Sequence, residues 1–205
     1  MGMLATAVNL VSTISYPIGG ILADRFSTRN LFIITLASFV ILTIAFAFTT
    51  NYPLLLIIHA LYGFFSIATL WSAYLNGIRS LGNEKNQSTI FGSSEATRGI
   101  VQTLCGFLFL GIVGAIASPT LGIRTMLLVA AGIIFVLLVL TFIFIPKEDK
   151  KTDNTENLEE KFSMLDVLKN PGVWITIFLI MGAFMTWSLG NGYLTTYTVQ
   201  VLKVS

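Results

Sequence analysis

Long apolar stretches alternate with short polar segments along almost the whole chain. A helix needs about 20 apolar residues to cross the hydrocarbon core of a bilayer, and six stretches have about this length. They lie near 3–23, 31–48, 53–78, 99–118, 126–145 and 173–199. The stretch 126–145 contains no charged residue, and 53–78 contains none apart from a possible charge on His59. The pattern predicts an all-α, polytopic transmembrane helical bundle with about six spans.

The composition indicates a membrane protein and argues against several other classes of protein. Charged residues make up 11% of the 205 residues, whereas a soluble domain carries about 25%. We therefore expect the lipid bilayer as a partner and no separate soluble domain. The single cysteine, Cys105, lies in an apolar stretch, so disulfides and thiolate metal sites are not indicated. The net charge of +2 gives no reason to expect nucleic acid as a partner.

Lysine and arginine are distributed unevenly between the two sets of loops. Ten of them fall on one side, namely Arg25, Arg29, Arg79, Lys85, Arg98, Lys147, Lys150, Lys151, Lys161 and Lys169. Only Arg124 and Lys203 fall on the other. The positive-inside rule assigns the larger set to the cytoplasm. We expect a multi-pass protein of the cell (inner or plasma) membrane, with both termini outside. Since Met1 then begins a span outside the cell, we expect an upstream helix to be missing.

A compact charged loop joins the first two spans. Charged residues at the centre of a membrane helix cost roughly 2.5 to 3.5 kcal/mol each, so their position at the end of a span matters. The segment reads Gly20-x-x-x-Asp24-Arg25-x-Ser27-x-Arg29. It resembles the signature of the major facilitator superfamily, in the loop between that family's second and third helices. The family usually has glycine where this chain has Ser27.

The resemblance extends over the whole chain and implies a partial carrier. If the first span corresponds to the family's second helix, the spans run from second to seventh and cover about half of a twelve-helix transporter. The charged, Asn-rich stretch after residue 146 then falls at the family's long central loop. The expected domains are an N-terminal bundle lacking its first helix (1–146), a cytoplasmic central linker (147–162), and an amphipathic lead-in with the first helix of the C-terminal bundle (163–205).

The resemblance also implies a gating motif. In the family, the acid and the bases of this loop join the two halves of the carrier at the cytoplasmic side. Glu95 and Arg98 lie three residues apart on one helical face, where they neutralise each other or reach toward Arg29 and Asp24. The predicted motif is Gly20, Asp24, Arg25, Arg29, Glu95 and Arg98. The alternative is a positive-inside topology anchor with no gating role.

Candidate substrate-binding residues follow from the family's cavity-lining helices, the fourth and the seventh. They are Trp71, Tyr74, Asn76, Asn191, Tyr193 and Tyr197. An aromatic belt at the outer interface is the alternative, particularly for Tyr197. His59 stands where many proton-coupled members have arginine, so it is the candidate for proton coupling. The alternative is a hydrogen-bonded histidine near the outer interface.

These features predict a secondary active transporter that moves a small polar metabolite by alternating access. The segments Phe91-Gly92 and Arg98-Gly99 resemble a stretch of bacterial permeases for sugars, sugar phosphates or organic anions. Expected partners are that substrate, a proton or counter-substrate, and the missing remainder of the transporter. The sequence contains no nucleotide-binding loop, metal-ligand cluster or nucleophile–base set, so we expect neither a cofactor nor enzyme activity. Alternatives are a non-transporting receptor or scaffold relative, and a complete six-helix carrier subunit that dimerises.

Overall fold

The computed structural model describes residues 2–83, 85–146, 171–172, 174–175, 178–179 and 181–182. It divides into two compact units, Met1–Lys151 and Thr152–Ser205. The described residues of the second unit are helical. The sixth predicted span and the predicted linker lie mostly or wholly outside the described residues. All of the elements below belong to the first unit.

The described part of the first unit is built from α-helices and one π-helical segment. In chain order these are α1 (Gly2–Arg25), α2 (Thr28–Phe48), α3 (Tyr52–Phe65), the π segment (Ser66–Trp71), α4 (Ser72–Ser80), α5 (Gln87–Ala115) and α6 (Pro119–Phe144). The elements α3, π segment and α4 form one span, Tyr52–Ser80. In the part of the chain that is described, five helices are long and apolar enough to cross a membrane. The prediction of an all-α membrane bundle is confirmed.

Local sequence explains where several helices begin. The Ser27 hydroxyl accepts a hydrogen bond from the Asn30 N–H at 3.4 Å, which caps the start of α2. Pro53 and Pro119 lie in the first turns of α3 and α6, where the missing N–H of proline has no cost. Serine at position 27, the departure from the family pattern, thus has a structural role as an N-cap.

Small and hydroxyl-bearing residues form much of the core between α1, α2 and the third span, beside larger apolar side chains. Ser15, Thr35, Ala68, Thr69 and Ala73 are all buried. Moving a large apolar side chain from lipid to a helix interface gains little free energy, because the lipid tails are equally apolar. Small side chains stabilise the bundle instead by allowing the helices to pack closely. Many large apolar side chains on the outside of the bundle are exposed, as lipid contact allows.

Two glycines set how closely α1 approaches the third span. A Cβ on Gly63 would lie 2.6 Å from the Val8 carbonyl oxygen, and one on Gly19 would lie 3.1 Å from the Ala68 Cα. The Ser12 hydroxyl adds a hydrogen bond to the Gly63 carbonyl at 3.2 Å. The two backbones are therefore in direct contact at two levels of the bundle.

One end of the bundle contains the predicted gating loop between Gly20 and Arg29. The end of α1, the start of α2, the end of α4, the start of α5 and the end of α6 lie at this end, which we call the motif end. A Cβ on Gly77 of α4 would lie 3.6 Å from Thr28 at the start of α2, which shows that the two helix ends are adjacent.

Candidate functional site

The predicted gating motif lies at the junction of α1 and α2. Asp24 and Arg25 are exposed in the last turn of α1, and Arg29 is half-buried in the first turn of α2. A Cβ on Gly20 would meet nothing within 4 Å. The acid and the bases of this motif thus belong to two consecutive helix ends.

Arg29 binds the end of α6. Its Nη2 donates to the Phe142 carbonyl oxygen at 2.8 Å, and its Cζ lies 5.0 Å from the centroid of the Phe142 ring. The last four carbonyls of a helix have no partner within that helix, so Arg29 satisfies one of these groups at the end of α6. The arginine–ring contact adds a cation–π interaction. Arg29 therefore joins α2 to α6 inside one bundle, a contact that the sequence did not predict.

Glu95 and Arg98 form an ion pair on α5, which is the first of the two arrangements that the sequence left open. Arg98 Nη2 donates to Glu95 Oε2 at 2.5 Å. The two side chains are 58% (Arg98) and 41% (Glu95) exposed, so the pair is accessible rather than sealed in the core. This geometry is the i,i+3 pairing that the spacing indicated.

Tyr74 connects this ion pair to the third span. Its hydroxyl donates to Glu95 Oε1 at 2.7 Å and lies 3.0 Å from Ser94 Oγ. Because Tyr74 has one hydroxyl proton and gives it to the carboxylate, Ser94 is the donor in the second contact. Both carboxylate oxygens of Glu95 thus accept a hydrogen bond, one from Arg98 on the same helix and one from Tyr74 on α4.

Trp71 completes the group. Its ring lies 5.5 Å from that of Tyr74, centroid to centroid, with an angle of 31° between the planes. We call Trp71, Tyr74, Ser94, Glu95 and Arg98 the Tyr74–Glu95 cluster. The sequence assigned Glu95 and Arg98 to gating and Trp71 and Tyr74 to substrate binding. The structure places these four residues in one cluster, joined by hydrogen bonds and by a tilted ring contact.

A wide open groove of about 670 Å³ lies between the end of α4 and the first half of α5, and Ser94 and Arg98 of the cluster line it. Ile78, Leu81 and Ile90 give it apolar walls, whereas Ser94, Arg98 and Gln102 give it polar ones. No described residue of α5 is buried. Polar side chains on a membrane helix face protein or a water-filled cavity rather than lipid. This face of α5 therefore has the chemistry of a cavity wall.

His59 lies apart from the cluster, in α3. Its Nδ1 is 2.8 Å from the Leu55 carbonyl oxygen, which can only accept, so Nδ1 carries a proton. The ring packs edge-on against Phe46 at 5.2 Å and lies 6.4 Å from Tyr62. In the neutral ring, Nε2 is then the nitrogen that would accept an additional proton.

The remaining candidates are less informative. Asn76 is half-buried on α4, two residues beyond Tyr74. Asn191, Tyr193 and Tyr197 lie outside the described residues. Within the described ranges, no group of three or more histidine, cysteine or acidic side chains is placed to hold a metal ion.

Sequence reasoning missed a buried polar contact next to the cluster. The hydroxyls of Thr35 in α2 and Thr69 in the π segment lie 2.5 Å apart. A weak signal was available, because Ser66, Thr69 and Ser72 recur at three-residue spacing in an otherwise apolar span. Hydroxyls at this spacing favour bonds to nearby backbone carbonyls.

Comparisons with known proteins identify the family. The family profile described as Major Facilitator Superfamily matches residues 1–205. The chain is 25% identical to the inner membrane protein YqcE of Escherichia coli (strain K12), over all of this chain and 49% of that protein. It is 27% identical to the inner membrane protein YihN of the same organism, over 85% of this chain and 42% of that protein. The chain thus spans about half the length of these curated relatives. No solved structure gives a significant match.

Proposed function

Because the chain belongs to the major facilitator superfamily, a family of membrane transporters, we propose that it contributes to a secondary active transporter. Its substrate is a small polar metabolite, a sugar, sugar phosphate or organic anion, which moves by alternating access. The relatives are inner membrane proteins, which favours the same membrane for this chain. The predicted central loop, 147–162, faces the cytoplasm in this proposal, on the side of the motif end.

The observation that carries the proposal is the Tyr74–Glu95 cluster beside its groove. Arginine has five N–H donors, and the contact with Glu95 uses Nη2. Further donors on Arg98 suit the oxygens of a phosphate, a carboxylate or a sugar hydroxyl. Ser94 and Arg98 of the cluster thus supply polar groups on a mostly apolar wall, as small-molecule sites do.

The gating motif acts at the same end of the bundle in this proposal. Arg29 holds α2 and α6 together through Phe142, so these helices move as one body during the transport cycle. Asp24 and Arg25, at the end of α1, contact the other half of the carrier when the cytoplasmic side is closed.

The coupling ion is a proton, or else a counter-substrate drives exchange. His59 is the proton candidate within the described part of the chain, with Nε2 as the site of protonation. Under a proton-coupled mechanism, His59→Asn abolishes uptake driven by a pH gradient and preserves exchange of substrate between equal pH values. Loss of both activities, or of neither, would contradict this role.

Uptake by the complete protein in proteoliposomes tests the proposed function. Three sets of radiolabelled substrates are tested, namely sugars, sugar phosphates and small organic anions. A pH gradient or unlabelled substrate inside the liposomes drives the uptake. We expect saturable uptake of members of one set, and Glu95→Gln should reduce it at least tenfold. Glu156→Gln makes the same chemical change in the predicted linker and serves as the matched control. No saturable uptake in any set would overturn the proposal.

A further inference from the structure

The third span changes its winding immediately before the Tyr74–Glu95 cluster. Residues Ser66–Trp71 are π-helical, whereas α3 before them and α4 after them are α-helical. A π turn closes hydrogen bonds from residue i to i+5 and so contains one residue more than the corresponding α turn. Each residue of an α-helix advances by about 100° around the axis. The direction in which Tyr74 points therefore depends on whether the π segment is present.

Side-chain hydroxyls satisfy the backbone at this irregular turn. In the membrane interior, carbonyls released from regular helical bonding must find another donor, because no water is available. Three hydroxyls in and beside the π segment each donate to a carbonyl of the same span. These bonds are Ser66 Oγ to Gly63 (2.9 Å), Thr69 Oγ1 to Phe65 (2.8 Å) and Ser72 Oγ to Ile67 (3.4 Å).

Thr69 also has a partner on the neighbouring helix. Thr35 Oγ1 lies 2.5 Å from Thr69 Oγ1, and both residues are fully or almost fully buried, at 0% and 3% exposure. Each hydroxyl also lies within bonding distance of a carbonyl on its own helix, Leu31 for Thr35 and Phe65 for Thr69. Three contacts share two protons, so not all three are hydrogen bonds at one time.

Either threonine hydroxyl can donate to the other, in exchange for the bond to a carbonyl of its own helix. In both arrangements the contact between the two hydroxyls joins the π segment to α2.

We propose that Thr35 and Thr69 are positioning residues that maintain the π segment and thereby direct Trp71 and Tyr74 toward Glu95. Without the two hydroxyls, the turn relaxes toward an α-helix and the residues after it rotate by about 100° relative to α5. Gly19 supports the same arrangement from the other side, since its Cβ position lies 3.1 Å from the Ile67 carbonyl oxygen. The inference concerns the geometry of the cluster and does not require the proposed transport activity.

Trp71 reports this geometry directly. The chain has three tryptophans, so Trp174→Phe and Trp187→Phe leave Trp71 as the single one. In this background, the chain is reconstituted in lipid vesicles, and the emission maximum and acrylamide quenching of Trp71 are measured. We expect Thr69→Val and Thr35→Val each to change the quenching constant at least twofold, since the indole then turns relative to α5. Thr69→Ser, which retains the hydroxyl, should restore the parent value.

Thr43→Val is the matched control. Thr43 is also buried on α2 and donates to the Phe39 carbonyl of its own helix. Its hydroxyl also contacts the third span, 2.6 Å from the Tyr62 hydroxyl, but Tyr62 precedes the π segment. A general loss of packing would alter Trp71 equally in this variant. An equal change with Thr43→Val, or no change with Thr69→Val, would overturn the proposal. If Thr69→Val fails to insert, Thr35→Val alone decides between the same outcomes, since it leaves the Thr69–Phe65 bond in place.

Discussion

Two adjacent glycines at the end of α1 give a stringent test of the close helix contact. Gly19 and Gly20 are neighbours in α1, but Gly19 is buried against the third span and Gly20 is exposed. A Cβ on Gly19 would lie 2.6 Å from Ser72 Oγ and 3.1 Å from the Ala68 Cα, whereas one on Gly20 would meet nothing within 4 Å. We expect Gly19→Ala to destabilise the bundle and Gly20→Ala not to do so.

The magnitude follows from comparing the two variants. Replacing glycine by alanine in a helix interior gains about 1 kcal/mol of helix propensity, and this gain is common to both positions. Forcing an extra methyl group into a packed site costs about 1–3 kcal/mol. The Ala68 Cα belongs to the backbone and cannot rotate away. The free energy of unfolding of Gly19→Ala should therefore lie about 1–3 kcal/mol below that of Gly20→Ala.

Thermal unfolding in a mild detergent measures this difference. For a chain of 150–250 residues, 1 kcal/mol corresponds to roughly 2–4 °C in Tm. We expect Gly19→Ala to melt about 2–12 °C below Gly20→Ala. Equal melting temperatures, or a higher one for Gly19→Ala, would refute direct contact between α1 and the third span at this level.

Three further predictions concern single contacts. Arg29→Lys loses the planar contact with Phe142 and should lower the free energy of unfolding by on the order of 1 kcal/mol, measured as a fall in Tm. Arg25→Lys should leave Tm unchanged, and equal shifts in the two variants would argue against the α2–α6 bond. Ser27→Ala removes the α2 cap and should cost about 0.5–1 kcal/mol, while Ser27→Gly should cost only a few tenths; the same denaturant midpoint for both would contradict the cap. His59 bonds its own helix through Nδ1, so His59→Asn should leave the far-ultraviolet circular dichroism unchanged, and a loss of helix would show instead a structural role.

The sequence predicted those features that depend on local pattern. The five described spans follow from the length of the apolar stretches, and the Glu95–Arg98 pair follows from its i,i+3 spacing. The sequence did not predict that the substrate candidate Tyr74 bonds the gating candidate Glu95. It depends on the rotation of α4 about its axis, which the π segment sets, and apolar periodicity does not reveal one extra residue in a turn.

Long-range contacts escaped prediction for a related reason. Arg29 and Phe142 are 113 residues apart, and a carbonyl acceptor at a helix end has no side-chain signature in the sequence. The family resemblance assigned Arg29 to the boundary between the two halves of a carrier. The structure adds a contact within one bundle, which any account of that boundary must include.

The concentration dependence of uptake in a Tyr74→Phe variant tests the central claim most directly, namely that the Tyr74–Glu95 cluster binds the transported solute. Phenylalanine keeps the ring beside Trp71 and removes only the hydroxyl that donates to Glu95. Without this bond the Glu95 carboxylate is no longer held toward α4, so kcat/KM for uptake by the complete protein should fall about tenfold or more through misplacement of the binding group. Tyr52→Phe, at the exposed start of α3, should behave as the parent. An unchanged kcat/KM for Tyr74→Phe would contradict the account.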